Sequence, residues 1–361
     1  MINVLVVEDS AVVREFLVHI LSADPGITVV ATAHNGAEAL DLVQRHRPDV
    51  ITMDIHMPKL NGLEATRLIM ETNPTPIVIV SGSQSTREVV TSFDAMDAGA
   101  LAMLRRPSGI GDANHEATAL DMVRTIKLMS EVKVVRRWPR MRNAGAALLS
   151  DSMDTIRAPA QIGIVAIGAS TGGPSAIEVI LAGLPKNFPV PILIVQHMAS
   201  GFMGGFLKWL STSSALPVHA ATDGAILLPG HVYIAPDDFH MKVAQGERIA
   251  LMKDEPENGL RPSASYLFRS VAEVYGCNAV AGLLTGMGRD GANELRLLKE
   301  RGAITFAQDR DSSVVHGMPG EAIRLDAAMH VLPMERIAAV LTNLVNSNGK
   351  NSSMIDDTQK I

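Results

Sequence analysis

Ser170 stands in Gly168-Ala169-Ser170-Thr171-Gly172-Gly173-Pro174, directly after the apolar run Ile162–Ile167. A G-x-S-x-G turn between strand and helix projects a hydroxyl at the strand end, beside main-chain N–H groups able to hold an oxyanion. The same glycines could cradle a dinucleotide phosphate, but that reading wants G-x-G-x-x-G and an acidic residue closing the next strand. The next apolar run, Val190–Val195, instead ends in Gln196-His197. A histidine ending a neighbouring parallel strand lies where a general base belongs, although a packed structural histidine fits the same place. Leu284-Thr285-Gly286-Met287-Gly288-Arg289-Asp290-Gly291-Ala292 follows the run Ala279–Leu284. Asp290 either caps the helix after it or orients the base. Nucleophile, base and orienting acid together make a complete triad, each at the carboxyl end of a candidate strand.

A second set lies near the N-terminus. Glu8 and Asp9 follow the run Val4–Val7, and Asp54 follows Val50–Met53. In a five-stranded doubly wound sheet these two strand ends lie side by side. Carboxylates so placed repel one another unless a cation bridges them, and magnesium suits hard oxygen ligands. One carboxylate can then attack a phosphoryl donor and become an acyl phosphate. Taken singly, each acid is also an ordinary helix cap or solvated turn residue.

The elements that must position these groups follow from the pattern of apolar runs. Strands are expected at Val4–Val7, Ile27–Ala33, Val50–Met53, Ile77–Val80 and Ala100–Leu104, with helices near 11–22, 36–46, 62–72, 86–97 and 112–130. That alternation implies a parallel sheet covered on both faces. A second alternation has strands at Ile162–Ile167, Val190–Val195, Val232–Ala235, Ala279–Leu284 and Ile304–Ala307. Its helices are expected near 174–183, 202–211, 263–275, 290–301 and 334–346, with a hairpin across 239–252 about Gln245-Gly246-Glu247. The expected fold is α/β with two doubly wound parallel-sheet domains: a flavodoxin-like one at 1–130 and a Rossmann-like hydrolase at 159–347. A polar, partly basic linker at 131–158 and a disordered tail at 348–361 complete the chain.

Composition agrees with two cores: 47% of the 361 residues are apolar, and with 4% aromatics those cores rest on aliphatic side chains and methionine. A net charge of −6 without a long basic run speaks against nucleic-acid binding. The single cysteine, Cys277, cannot form an internal disulfide and is expected to be a small core residue. No apolar run approaches the ~20 residues of a membrane span. The chain opens on a strand pattern without a basic and apolar leader, so a cytoplasmic protein without membrane insertion is expected.

Val6-Val7-Glu8-Asp9-Ser10, Met53-Asp54-Ile55-His56-Met57-Pro58, Asn61-Gly62 and Ser81-Gly82 resemble the response-regulator receiver family. The resemblance implies that Asp54 is the phosphoacceptor, served by a histidine kinase. It further implies that Glu8, Asp9 and Asp54 hold Mg2+ with the His56 carbonyl, and that Ser81 senses the phosphoryl group. The family's usual Lys-Pro after the fifth strand is Arg106-Pro107 here, and its aromatic three positions earlier is Met103. Arg106 is expected to face the phosphoryl site and to pair with Asp54, with a fork geometry that an ammonium lacks.

Residues 160–346 resemble the catalytic domain of the chemotaxis protein-glutamate methylesterases. The matching stretches are Ile167–Pro174, Gln196-His197-Met198, Ile234-Ala235-Pro236, Arg261-Pro262-Ser263, Leu284–Gly291 and Gly317-Met318-Pro319. This implies a triad of Ser170, His197 and Asp290, and an oxyanion site at the Met287 N–H, with the Thr171 N–H a second candidate in the serine turn. It implies methylated chemoreceptors as substrate, with deamidation of receptor glutamines in some relatives. It also implies that the unphosphorylated receiver covers the active-site edge. Two other readings stay open: a non-catalytic scaffold, and an esterase serving a pathway other than chemotaxis.

Overall fold

The computed structural model describes residues 1–82, 93–132, 134 and 161–352, with side chains of the last helix described to 346. The chain divides into two compact units, Met1–Ala147 and Leu148–Ile361.

In the first unit, β1 (Ile2–Val7), β2 (Ile27–Ala33), β3 (Val50–Met53), β4 (Ile77–Ser81) and β5 (Ala102–Arg105) form one sheet of order β2-β1-β3-β4-β5. Every pairing is parallel. β3 and β4 are buried along their whole length, as a sheet covered on both faces requires. Helices Ala11–Ser22 and His115–Ser130 touch one another, as do Gly36–His46 and Gly62–Thr72. Asn35 and Asn61 cap the latter two, their side-chain oxygens accepting from the Glu38 and Glu64 N–H groups. The expected helix at 86–97 is helical over 93–97; its earlier part lies outside the described residues.

The second unit holds a seven-stranded sheet of order β14-β13-β12-β6-β7-β9-β8, again with only parallel pairings. Its strands are β6 (Ile164–Ala169), β7 (Ile192–Gln196), β8 (Val218–Ala220), β9 (Val232–Ile234), β12 (Ala279–Leu283), β13 (Ile304–Gln308) and β14 (His330–Leu332). β6 is the first in sequence yet lies mid-sheet, with its successors on one side and β12 to β14 on the other. The strand order therefore reverses there, which opens a crevice beyond its carboxyl end. Helices Gly173–Gly183, Met203–Ser213 and Met334–Ser352 pack together, and Ala264–Val274, Ala292–Glu300 and Met318–Arg324 form another group. The apolar core joins Phe268, Leu267 and Val271 to Ala281, Leu283 and Leu295.

The expected hairpin is present as β10 (His240–Ala244) paired antiparallel with β11 (Arg248–Met252). The three-residue edge strands β8 and β14 and the seven-residue helix Met318–Arg324 had no counterpart in the sequence reading. Each is too short for a periodicity to show. Cys277 corrects another expectation: it lies exposed in a 3-10 turn, Gly276–Asn278, that follows helix Ala264–Val274. Most of the expected linker at 131–158 falls outside the described residues. So does 353–361 of the expected tail, whereas 348–352 continues the helix from Met334.

Candidate active site and acidic pocket

Ser170 is the first residue beyond β6. Its N–H donates to the Thr285 carbonyl at 3.0 Å, and its carbonyl accepts from the Gly173 N–H at 2.8 Å. The Thr285 hydroxyl donates to the Thr171 carbonyl at 2.9 Å and accepts from the Val315 N–H at 2.9 Å. The serine turn is thus held from the β12 side by one threonine. The two loops approach so closely that a Cβ at Gly286 would stand 2.7 Å from the Ser170 Cβ. Only glycine fits there.

His197 leaves the neighbouring strand at the same level. Ala169 pairs with Gln196 in the β6–β7 register, and the His197 N–H donates to the Ala169 carbonyl at 2.9 Å. The imidazole Nε2 lies 2.9 Å from Asp290 Oδ2. With an ionised carboxylate as acceptor, Nε2 carries the proton and Nδ1 is left with its lone pair for another partner.

Asp290 is 3% exposed and is held by a different helix from the one it precedes. The Ser263 hydroxyl donates to Oδ1 at 2.7 Å, the Ser265 N–H to Oδ1 at 3.1 Å, and the Ala264 N–H to Oδ2 at 2.5 Å. These groups open helix Ala264–Val274, whose N–H groups and dipole favour an anion. Burial pushes the carboxyl pKa up, but His197 and the Ser263 and Ala264 donors outweigh it and bring it down to about 2. The alternative that Asp290 caps its own following helix is not met. That helix starts at Ala292 behind Gly291, in a left-handed conformation, and the carboxylate points to the other helix.

Among the described residues, neither the Thr171 nor the Met287 backbone N–H has a hydrogen-bond partner. The Met287 side chain is exposed, next to the Gly286 that abuts Ser170. The sequence reading missed Ser265 and Thr285 as supports of the site. Ser263 was legible only as one residue of a matching stretch, since nothing in a sequence says which carboxylate a helix start will receive.

In the first unit, Glu8 follows β1 and Asp54 follows β3; both are buried, while Asp9 is exposed. One carboxylate oxygen from each lies within 4.8 Å of the others. Burial, then the charge of Asp54, raises the Glu8 pKa to about 7 against the opposing pull of Arg106. Burial likewise holds Asp54 above its usual range, partly countered by the Ile55 N–H and Arg106. Such a donor set fits a hard divalent cation, which would relieve the repulsion that lifts Glu8. The His56 carbonyl accepts no hydrogen bond among the described residues.

Ser81 ends β4, buried, and its carbonyl accepts from the Arg106 N–H at 2.9 Å. The Arg106 guanidinium, however, meets Glu8: Nη2 to Oε2 is 3.4 Å. That corrects the expected pairing with Asp54. The Arg106 charge lowers the pKa of both acids, but the contact goes to Glu8.

Residues 4–116 match the response regulator receiver domain, and residues 165–341 match the CheB methylesterase family. A protein-glutamate methylesterase/protein-glutamine glutaminase of Nitrosospira multiformis is 69% identical over 350 residues, covering 97% of this chain and 99% of that protein. The chain belongs to this family. A Geobacter metallireducens member is 56% identical over 345 residues, covering 95% of this chain and 99% of the relative. The crystal structure of the Thermotoga maritima CheB methylesterase catalytic domain matches with a TM-score of 0.50 at 41% identity, covering 51% of this chain and all of that one. As a methylesterase/glutaminase family member the chain is a hydrolase carrying a receiver, and the scaffold reading is not favoured. Among the described residues no helix is long and apolar enough to cross a membrane.

Proposed function

We propose that this chain hydrolyses glutamyl methyl esters on methylated chemoreceptors in the cytoplasm, releasing methanol, and deamidates receptor glutamines by the same route. The observation that carries the reading is the His197–Asp290 pair, held by the start of helix Ala264–Val274 and set one strand away from Ser170. His197 Nδ1 takes the Ser170 proton as Oγ attacks the ester carbonyl. The carbonyl oxygen becomes an oxyanion, received by the Thr171 and Met287 N–H groups. Collapse expels methoxide, which takes the proton back from His197 and leaves as methanol. Water then attacks the acyl-enzyme, His197 again acting as base, and the receptor glutamate is freed. With a glutamine, ammonia leaves in place of methanol. Asp290 keeps Nε2 protonated and offsets the imidazolium charge.

Residues 1–130 are assigned as the receiver, 131–158 as linker, 159–347 as the methylesterase domain and 348–361 as tail. Asp54 accepts a phosphoryl group from a histidine kinase. Glu8, Asp9, Asp54 and the His56 carbonyl would hold Mg2+, which supplies positive charge against the phosphoryl oxygens. Ser81 and Arg106 face the group once it is on Asp54, and the change raises esterase activity by shifting a population of states.

Ser170→Ala tests the centre of this reading. Methanol release from methylated receptor is expected to fall by roughly 10⁴-fold or more, because triad members act as a unit. A variant with full activity would remove the serine mechanism.

A further inference from the structure

Gln196 is 2% exposed, and its amide NH2 bridges the main-chain carbonyls of the residues that carry the nucleophile and the base. Nε2 donates to the Ser170 carbonyl at 2.8 Å and to the His197 carbonyl at 2.8 Å. Those two acceptors fix which way the amide faces, since Oε1 in the same place would oppose two carbonyl oxygens. Oε1 is then left buried without a hydrogen-bond partner among the described residues. It lies against the first helical turn after the serine: a Cβ at Gly173 would stand 2.1 Å from it. That clash accounts for the second glycine of Gly172-Gly173 on packing grounds. A buried, half-satisfied amide is costly, so its retention needs a compensating gain.

The gain follows from the geometry of one peptide group. The Ser170 carbonyl and the Thr171 N–H belong to the same planar trans unit, so they point in opposite directions. The carbonyl is held by two donors, Gln196 Nε2 and the Gly173 N–H, both at 2.8 Å. Fixing the carbonyl inward fixes the Thr171 N–H outward, and that N–H has no partner among the described residues. Hydrogen bonds accepted by the carbonyl also polarise the amide and strengthen its N–H as a donor. The second bond, to the His197 carbonyl, ties the backbone that carries the base to the same side chain.

We infer that Gln196 is a positioning residue of the hydrolase: through the Ser170–Thr171 peptide it aims and strengthens the Thr171 N–H for the oxyanion, and it locks the His197 backbone to that peptide. The inference rests on the serine-esterase reading above. It is tested in the full chain by Gln196→Met, which keeps length and volume but has no donor. Three quantities are measured: kcat and KM for methanol release, binding of an alkylboronic acid that forms a tetrahedral adduct on a serine, and thermal unfolding. The expected result is a kcat lower by about ten- to a hundred-fold, below the loss of a whole oxyanion donor. KM is expected to stay within about two-fold, since ground-state binding is untouched, and boronic-acid affinity to fall by about the same factor as kcat. An unchanged kcat overturns the inference, and so does a lowered kcat with full boronic-acid affinity and an unaltered folded fraction. If Gln196→Met does not fold, Gln196→Glu replaces it. Protonated, that side chain keeps one donor, so boronic-acid affinity should improve as pH falls; affinity that is pH-independent and equal to that of the native chain overturns the inference. Ser170→Ala separates the two levels. Retained methanol release there overturns the serine reading and this inference with it. Loss there alongside full kcat in Gln196→Met overturns this inference alone.

Discussion

A buried carboxylate facing only one imidazole would be a poor anion, because desolvation favours its neutral form. Asp290 escapes that through the Ser263 hydroxyl and the Ala264 and Ser265 N–H groups, which serve it whether or not His197 is charged. Its pKa is lowered from 3.8 to about 2, so the stability it confers is present above pH ~4 and is lost as pH falls from there towards 2. A shift of that size is worth about 2 kcal/mol. Asp290→Asn replaces one acceptor oxygen by an NH2 that faces donors, and it no longer fixes the histidine tautomer. We expect kcat to fall by about 10³-fold or more, and chemical unfolding at pH 7 to show a loss of about 2 kcal/mol that shrinks as the pH is lowered below 4. A stability difference that stays constant from pH 7 to pH 2 would show that the carboxylate's charge is not what the helix start holds. The same logic applies to Arg106, whose contact with Glu8 leaves Asp54 the less encumbered of the two buried acids.

The acidic pocket is a property of two strand ends, β1 and β3, that the order β2-β1-β3-β4-β5 puts next to each other. Glu8 has a folded pKa raised to about 7 from 4.5, so without a cation it favours the fold most below pH ~4.5, an advantage lost as pH rises through about 7. Millimolar Mg2+ should therefore raise the receiver's unfolding temperature much more at pH 8 than at pH 5, and Asp9→Asn should weaken the effect. An equal rise at both pH values would mean that Mg2+ acts elsewhere. Elements of this kind were open to reading because each carries its own signal: the β3 run Val50–Met53 and the helices at 11–22, 36–46 and 62–72 appear with the bounds expected. The three strands that lead to the triad, β6, β7 and β12, were legible for the same reason. What stayed hidden depends on pairing in space. β8 and β14 are edge strands of three residues, formed because the neighbouring strands β9 and β13 offer them hydrogen bonds. The support of Asp290 by residues 263–265, and of Ser170 by Thr285 and Gln196, joins positions up to 115 apart in the chain, and no local period encodes such contacts.

Each unit has its own sheet, and every side chain proposed for ester hydrolysis belongs to the second one, between Ser170 and Asp290. The matching Thermotoga maritima catalytic domain is a separate structure covering only this half. Removing the receiver should therefore leave the chemistry intact, and any change in rate reports coupling between the units rather than loss of a catalytic group. A receiver that holds the esterase back until Asp54 is phosphorylated makes a signed prediction. A fragment beginning at Ala158 should release methanol about ten-fold faster than the unphosphorylated full chain, a factor within the usual range of coupling free energies. A small phosphoryl donor with Mg2+ should move the full chain towards the fragment's rate, and Asp54→Asn should abolish that response without lowering the basal rate. Since a modification shifts an equilibrium only by its differential free energy between two states, fragment and phosphorylated chain bracket the available range. Circular dichroism establishes that the fragment is folded. A folded fragment no faster than the whole chain would mean that the receiver does not restrain the esterase and that phosphorylation has to act by another route, such as bringing the enzyme to its receptor.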